Sequence, residues 1–283
     1  MANNLLKGST LAEGIKAEVK AQINDFKTRG IEPRLAALLA SDQPAVLAYA
    51  GAQQKMAEGL GLSLDLMNLD GAVSQSDLEN KLTQLSEDKN IHGIILHSPL
   101  RPGLDINEAI KCIDPKKDVD GLTAVNLGLT LSGSEAEAIL SATPQACLKL
   151  IESVTDISGK YVTLVGRGRT VGRPLVPLLL NRHATLTVVH RQTANLAALT
   201  RSADILIVAI GSPKFITADY LGEDQIVIDA GINAVGNGLA GDVDFEAALT
   251  KAAAVTPVPG GVGTLTTAFI FKNLMKAIKL QGL

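Results

Sequence analysis

The sequence predicts an α/β protein of two domains, the second of them doubly wound, on the strength of three observations. The chain has 283 residues, more than one ordinary domain holds, and 46% of them are hydrophobic, enough for two buried cores. Aromatic residues make up 3% and tryptophan is absent, so aliphatic side chains dominate, as they do where helices cover both faces of parallel strands. Short apolar runs also alternate with helical periodicity in two stretches, separated by a segment broken by proline and glycine at residues 98–145.

Thr10 and Glu13 have capping-box spacing ahead of Leu11, Ile15, Val19 and Ile23, whose four-residue spacing marks an amphipathic helix reaching about Thr28. Leu35 to Ala40 reads as a buried strand, followed beyond Asp42 and Pro44 by a helix that carries Tyr49 and ends near Leu60. A strand at Leu64 to Leu69, a helix at Ser76 to Leu85 and a strand at Gly93 to His97 extend the alternation, which calls for parallel strands joined by right-handed crossovers. Pro99, Pro102, Gly103, Pro115 and Gly121 then break the pattern, so residues 98–145 read as loops of the kind that often carry function. The alternation resumes with strand Tyr161 to Val165, helix Val171 to Asn181, and strands Leu186 to Val189, Ile205 to Ala209 and Ile226 to Asp229. Ala268 to Leu280 is amphipathic and follows a glycine-rich turn, so it is expected to return to the first domain. The expected division is residues 1–140, completed by the closing helix at 265–283, and residues 141–264.

A formal charge of −3 leaves no electrostatic footprint for nucleic acid or an anionic membrane, which points to a small-molecule partner. Cys112 and Cys147 are too far apart for a Cys-x-x-Cys site, and no Cys/His cluster resembles a metal centre, so no metal and a reducing, cytoplasmic interior are expected. The opening MANNLLKGSTLAEG lacks a charged stretch followed by a long apolar core, and no later run is long enough to span a bilayer. A soluble, unprocessed protein is expected.

Gly166, Gly168 and Gly172 fall between a strand and a helix, where free backbone N–H groups and the helix dipole favour a pyrophosphate. Their G-x-G-x-x-x-G spacing departs by one residue from the common Rossmann fingerprint, and a tight strand-to-helix turn would look the same. After the next strand stands His190-Arg191-Gln192-Thr193, where an NAD enzyme usually has a carboxylate for the ribose. Arg191, with Arg167 from the glycine loop, offers guanidinium donors to a ribose phosphate instead, which argues for NADP; a solvated surface arginine is the plainer alternative. Gly211 and the turn Asp229-Ala230-Gly231-Ile232-Asn233 also follow strands, where a doubly wound sheet opens its ligand crevice.

Four segments carry a more specific likeness: Val-Gly-Arg-Gly-x-x-Val-Gly-Arg-Pro at 165–174, Lys117-Asp-Val-Asp-Gly121, Ile228-Asp-Ala-Gly-Ile-Asn233 and Thr256-Pro-Val-Pro-Gly-Gly-Val-Gly263. In order and spacing they resemble the bifunctional methylenetetrahydrofolate dehydrogenase/cyclohydrolase (FolD) family along nearly the whole chain. The resemblance implies an N-terminal catalytic α/β domain, a Rossmann-like NADP domain, a cleft between them, and a homodimer formed through the nucleotide domain. It also implies oxidation of methylenetetrahydrofolate to the methenyl form with NADP, then hydrolysis to formyl in bifunctional members. By the same resemblance Asp120 anchors the pterin, Tyr49 lines the reaction centre, and Pro99, Leu100, Gly260, Gly261 and Thr264 contact substrate. Gly166, Arg167, Gly168, Val171, Gly172, Arg191, Gly211 and Ile232 are the corresponding cofactor residues.

The chain departs from the family where the chemistry is done. The family's Tyr-x-x-x-Lys pair falls on Tyr49 and Gln53, so the tyrosine is kept and the lysine lost. Lys55, two residues on, points about 200° around the helix. The family's Gln-Leu-Pro-Leu-Pro aligns with His97-Ser98-Pro99-Leu100-Arg101, Thr143-Pro144 keeps part of Pro-Cys-Thr-Pro, Gly168 replaces a serine, and Thr264-Leu265 replaces Pro-Met. Hydride transfer needs no proton movement, only a carbon held against the nicotinamide. Hydrolysis needs water deprotonated and a ring nitrogen protonated, which the neutral amide of Gln53 does not do. Dehydrogenation is therefore expected to survive better than cyclohydrolysis. Unperturbed imidazole titrates near ~6.5, so His97 offers either a replacement proton-transfer group or a plain hydrogen-bonding substitute. Three other readings remain open at this level: a fully bifunctional enzyme using His97, a dehydrogenase for another pterin or a small amino acid, and a non-catalytic NADP- or folate-binding paralogue.

Overall fold

The computed structural model describes residues 4–69, 71–236 and 238–283; Met1–Asn3, which open the segment read above as unprocessed, lie outside them. The chain runs β1 (Asn4–Leu5), α1 (Gly8–Thr28), β2 (Arg34–Leu39), α2 (Pro44–Leu60), β3 (Ser63–Asn68), α3 (Gln75–Glu87), β4 (Gly93–Leu96), α4 (Ile106–Ala109) and α5 (Ala124–Leu131). It continues with α6 (Ala142–Glu152), β5 (Tyr161–Val165), α7 (Gly172–Leu180), β6 (Thr185–Val189), α8 (Leu196–Arg201), β7 (Ile205–Val208) and β8 (Ile226–Asp229). The hairpin β9 (Asn233–Val235) and β10 (Gly238–Ala240), then α9 (Phe245–Lys251), β11 (Ala254–Val255) and α10 (Val262–Leu280), complete it.

Two compact units result, one of residues 14–142 with 267–283, the other of 143–266 with the segment up to Glu13. In the first, hereafter the substrate unit, β3-β2-β4 form a parallel sheet, with Leu35 opposite both Leu64 and Gly93. Its core gathers Ala36 and Leu38 from β2, Leu78, Leu82 and Leu85 from α3 and Ile94 and Leu96 from β4, the apolar periodicity of α3 meeting the continuous apolar runs of the strands. The closing helix is part of this unit: the Asn273 amide donates to the carbonyls of Val119 and Leu140, both at 2.8 Å.

In the second, the nucleotide unit, six strands lie in the order β1-β11-β8-β7-β5-β6 and every pair is parallel. Order reversal beside β5 makes it doubly wound, and Val165, Val189, Val208 and Val227 build its core. Among the described residues no helix is long and apolar enough to cross a membrane, and no group of His, Cys, Asp and Glu is arranged to hold a metal.

Four expectations need correction. Asn4–Leu5 pairs with Ala254–Val255, so the opening segment joins the nucleotide sheet rather than the domain of residues 1–140. Helix α1 starts at Gly8, which puts Thr10 inside it rather than at its cap. Residues 98–145 hold α4, α5 and the start of α6, because Pro144 falls in the first turn of α6, where a missing N–H costs nothing. Helix α10 starts at Val262 rather than Ala268, the apolar positions Val262 and Leu265 being buried in register with Phe269.

Candidate active site

In the substrate unit, α2 sets Tyr49 and Gln53 one turn apart, and β4 ends one residue before His97, whose backbone N–H donates to Leu38 at 2.9 Å. The rings of Tyr49 and His97 meet edge to face, 5.8 Å between centroids at 80°. Burial, then the neighbouring Asp120 carboxylate, push the Tyr49 hydroxyl above its ordinary value, while Gln53 and Thr267 partly offset them. Tyr49, Gln53, His97, Asp120 and Thr267 thus form one cluster. Lys55 is exposed, as expected.

Three polar atoms of this cluster are sealed from solvent and hydrogen-bonded to nothing in the protein: both amide atoms of Gln53 and Nε2 of His97. Gln53 is 0% exposed and His97 3%. A buried polar group left unpaired costs about 1–3 kcal/mol, so such atoms mark where a ligand supplies the partner. The Gln53 amide is near enough to influence the Tyr49 hydroxyl, yet neither of its atoms reaches hydrogen-bond geometry. Burial also lowers the His97 pKa to about 4, leaving a neutral imidazole near neutrality.

The two carboxylates of Lys117-Asp-Val-Asp-Gly121 have separate tasks. Asp118 accepts from the N–H groups of Gly121 (2.9 Å) and Thr123 (2.7 Å) and from the Asn126 amide (3.1 Å), so it ties the loop together. Asp120 has no such set of donors, and burial, then the charge of Asp118, raise its pKa to about 7. Leu100 packs on the core and Pro99, after a cis Ser98–Pro99 bond, is exposed. Arg101 is held by Asp42 (2.7 and 2.9 Å) and the Leu69 carbonyl (3.1 Å), so its guanidinium is engaged in tying down the loop.

The nucleotide unit holds the other predicted residues. Gly166 has φ +120°, and a Cβ there would lie 2.0 Å from the Ala209 carbonyl oxygen; one at Gly172 would lie 2.5 Å from that of Gly166. Only glycine lets the turn after β5 fold this tightly against the end of β7. Gly168, by contrast, faces open space, Val171 immediately precedes α7, and Arg167 and Arg191 are exposed. An open glycine turn at a helix N-terminus with two free guanidinium groups fits a dinucleotide carrying a ribose phosphate. Ile232 is 48% exposed beside this sheet's C-terminal edge. Gly260, Gly261 and Thr264 also belong to this unit, the glycines on the turn into α10, where the Gly8 N–H donates to the Gly260 carbonyl at 2.9 Å, and Thr264 in the helix's first turn.

Asp242 escaped sequence reading. It accepts from the N–H groups of Ile210 (2.7 Å), Gly211 (2.9 Å) and Ser212 (2.9 Å) and from the Asn233 amide (2.8 Å), fastening the turns after β7 and β8 together. Asp229 holds the same junction through Gly231, Asp242 and Val243, and burial raises its pKa to about 6. The only signal was Gly-Asp-Val-Asp at 241–244, whose partners lie some thirty residues away in sequence. Thr267 was missed for the same reason.

The comparisons agree with this geometry. Residues 6–120 match the catalytic-domain model of tetrahydrofolate dehydrogenase/cyclohydrolase, and 141–282 match that family's NAD(P)-binding domain. The "Bifunctional protein FolD 2" of Desulfitobacterium hafniense is 40% identical over 278 residues, covering 98% of this chain and 97% of its own. The crystal structure of the bifunctional FolD enzyme of Campylobacter jejuni superposes with a TM-score of 0.94 at 36% identity, covering 99% of this chain and 100% of that one. The Trypanosoma brucei FolD structure, complexed with NADP cofactor and inhibitor, gives 0.93 at 31%, covering 99% and 98%. With both domain models and full-length relatives in agreement, the chain belongs to the tetrahydrofolate dehydrogenase/cyclohydrolase family.

Proposed function

We propose that this protein oxidises methylenetetrahydrofolate to methenyltetrahydrofolate with NADP and leaves the following hydrolysis largely undone. The observation that carries the reading is the buried, uncharged Gln53 in one cluster with Tyr49 and Asp120, where the family resemblance implies a lysine. Bound NADP would supply the hydride acceptor, held by the turn at Gly166, Gly168, Val171 and Gly172, by Gly211 and Ile232, and by Arg191 and Arg167 on the ribose phosphate. Asp120, ionised, accepts the parallel N–H donors of the pterin; Tyr49 packs against the reacting centre; and Gln53 and His97 hydrogen-bond substrate without exchanging protons with it. Pro99, Leu100, Gly260, Gly261 and Thr264 complete the substrate contacts.

Hydrolysis asks for more. Some group must take a proton from water and return one to the ring nitrogen, and an amide has neither capacity. His97, its pKa near 4, is a weak base with no proton to give at pH 7, which argues against the fully bifunctional reading. The protein acts in the cytoplasm as a homodimer through its nucleotide unit. The open edge strand β6, with Val188 40% exposed and neighbouring Tyr161 63% exposed, supports such a pairing.

The test follows reduced cofactor and methenyl product separately, starting from methylenetetrahydrofolate and NADP. The two should rise in step, with methenyl lost only at its spontaneous rate. Reduced cofactor without methenyl would mean that hydrolysis is intact, and binding of both ligands without reduced cofactor would select a non-catalytic paralogue.

A further inference from the structure

The charges around the reaction centre are one-sided. Asp120 is the charge that acts on Tyr49, Asp118 is the charge that acts on Asp120, and His97 responds to burial alone. Among the described residues no lysine or arginine acts on Tyr49, His97 or Asp120, Lys55 being exposed and Lys117 turned to the carbonyls of Ser86 and Asp88, both at 2.7 Å. A half-buried carboxylate such as Asp120, with no cationic partner, is unfavourably placed unless a ligand brings the positive charge. The unpaired Oε1 of Gln53 and Nε2 of His97, both sealed from water, add acceptor capacity at the same place.

The reaction generates such a ligand. The methylene C–H bond breaks, both its electrons leave with the hydride for the nicotinamide, and no proton moves. The folate is left as an amidinium-like cation shared by two nitrogens. A lysine at position 53 would oppose that charge, whereas the present cluster attracts it. We propose that Gln53, His97 and Asp120 form a cation-retaining site, which binds the methenyl product more tightly than the folates before and after it, whose one-carbon centre is uncharged. The protein then releases methenyl slowly and intact, and a separate hydrolase must consume it. This rests on the dehydrogenase reading, and the experiment below keeps the two apart.

Equilibrium binding of methenyl- and 10-formyltetrahydrofolate to the full-length protein with NADP gives the ratio that matters; neither carries the methylene hydride, so both are read without turnover. Wild type should bind methenyl at least about tenfold more tightly than the formyl derivative, and Gln53→Lys should bring the ratio close to one. Gln53→Met, neutral and of similar size, should keep most of the preference, which separates charge from packing and stands in if the lysine variant fails to fold. A wild-type ratio near one, or a ratio unchanged in Gln53→Lys, overturns the proposal. Absence of reduced cofactor in the turnover assay would instead overturn the dehydrogenase reading and leave the binding ratio readable.

Discussion

Asp242 is a fully buried carboxylate and Asp120 a half-buried one, one in each unit, and the protein treats them in opposite ways. Asp242 receives four N–H donors from two loops, and its neighbour Asp229 receives three more. Asp120 receives no comparable set, and Gln53 and His97 of the same cluster keep buried polar atoms unpaired. The nucleotide unit spends its buried charge on fastening strand-end turns into a rigid cradle. The substrate unit leaves Gln53 and the His97 Nε2 unsatisfied at its reaction centre, where a bound ligand can pair them. Buried charge that is satisfied reads as architecture, and buried charge that is not reads as recognition.

The contrast breaks most visibly at Asp120. Asp120→Asn should cost on the order of 10²-fold or more in kcat/KM for the folate, because two charge-assisted hydrogen bonds are weakened together, with little change in the KM for NADP. The folded-state pKa of about 7 lies above the ordinary carboxylate range, so the carboxyl is protonated below it and accepts both donors only above it. Folate kcat/KM in wild type should therefore climb as pH rises through about 7, and this step should vanish in Asp120→Asn. A pH profile flat across that range in wild type would contradict the assignment.

Asp242→Asn should behave differently. One amide N–H would face backbone donors, loosening the turn at Gly211; stability should fall by about 3 kcal/mol in denaturant titrations. The KM for NADP should rise about tenfold while folate affinity is kept. If folate affinity fell as much as NADP affinity, the division of tasks between the two carboxylates would be wrong. Arg191→Ala should also act only on the cofactor side, lowering the preference for NADP over NAD about tenfold through one lost charge-assisted contact. The smallest effect belongs to His97→Gln. The imidazole is already neutral near pH 7, so dehydrogenation should change by less than about threefold and no step should disappear from the pH profile near neutrality. A larger loss, with its own titration near neutrality, would restore His97 as a proton-transfer group.

Long-range pairing separated the legible from the illegible. The strands Tyr161–Val165 and Ile226–Asp229 were read at their observed bounds, and α2 to its observed end, because apolar runs and glycine stops are local signals. Strands β1 and β11, two residues each, become strands only by pairing with each other and with β8, and nothing in so short a stretch announces it. Helices α8 and α9, of six and seven residues, escaped similarly, being too brief to show a helical period.

The sequence by itself determined the two-domain α/β class, the glycine turn, the likeness to the folate enzymes, and the presence of Gln53 and His97 where that likeness implies a lysine and a glutamine. All of these reside in residue identity and local spacing. Tertiary structure alone decided that Gln53 is sealed and unpaired, that His97 is held neutral, that Asp118 is tied up while Asp120 is not, and that Asp242 binds the turns after β7 and β8 together. Burial, desolvation and hydrogen bonds between distant segments set those properties, and they come into being only when the chain closes on itself.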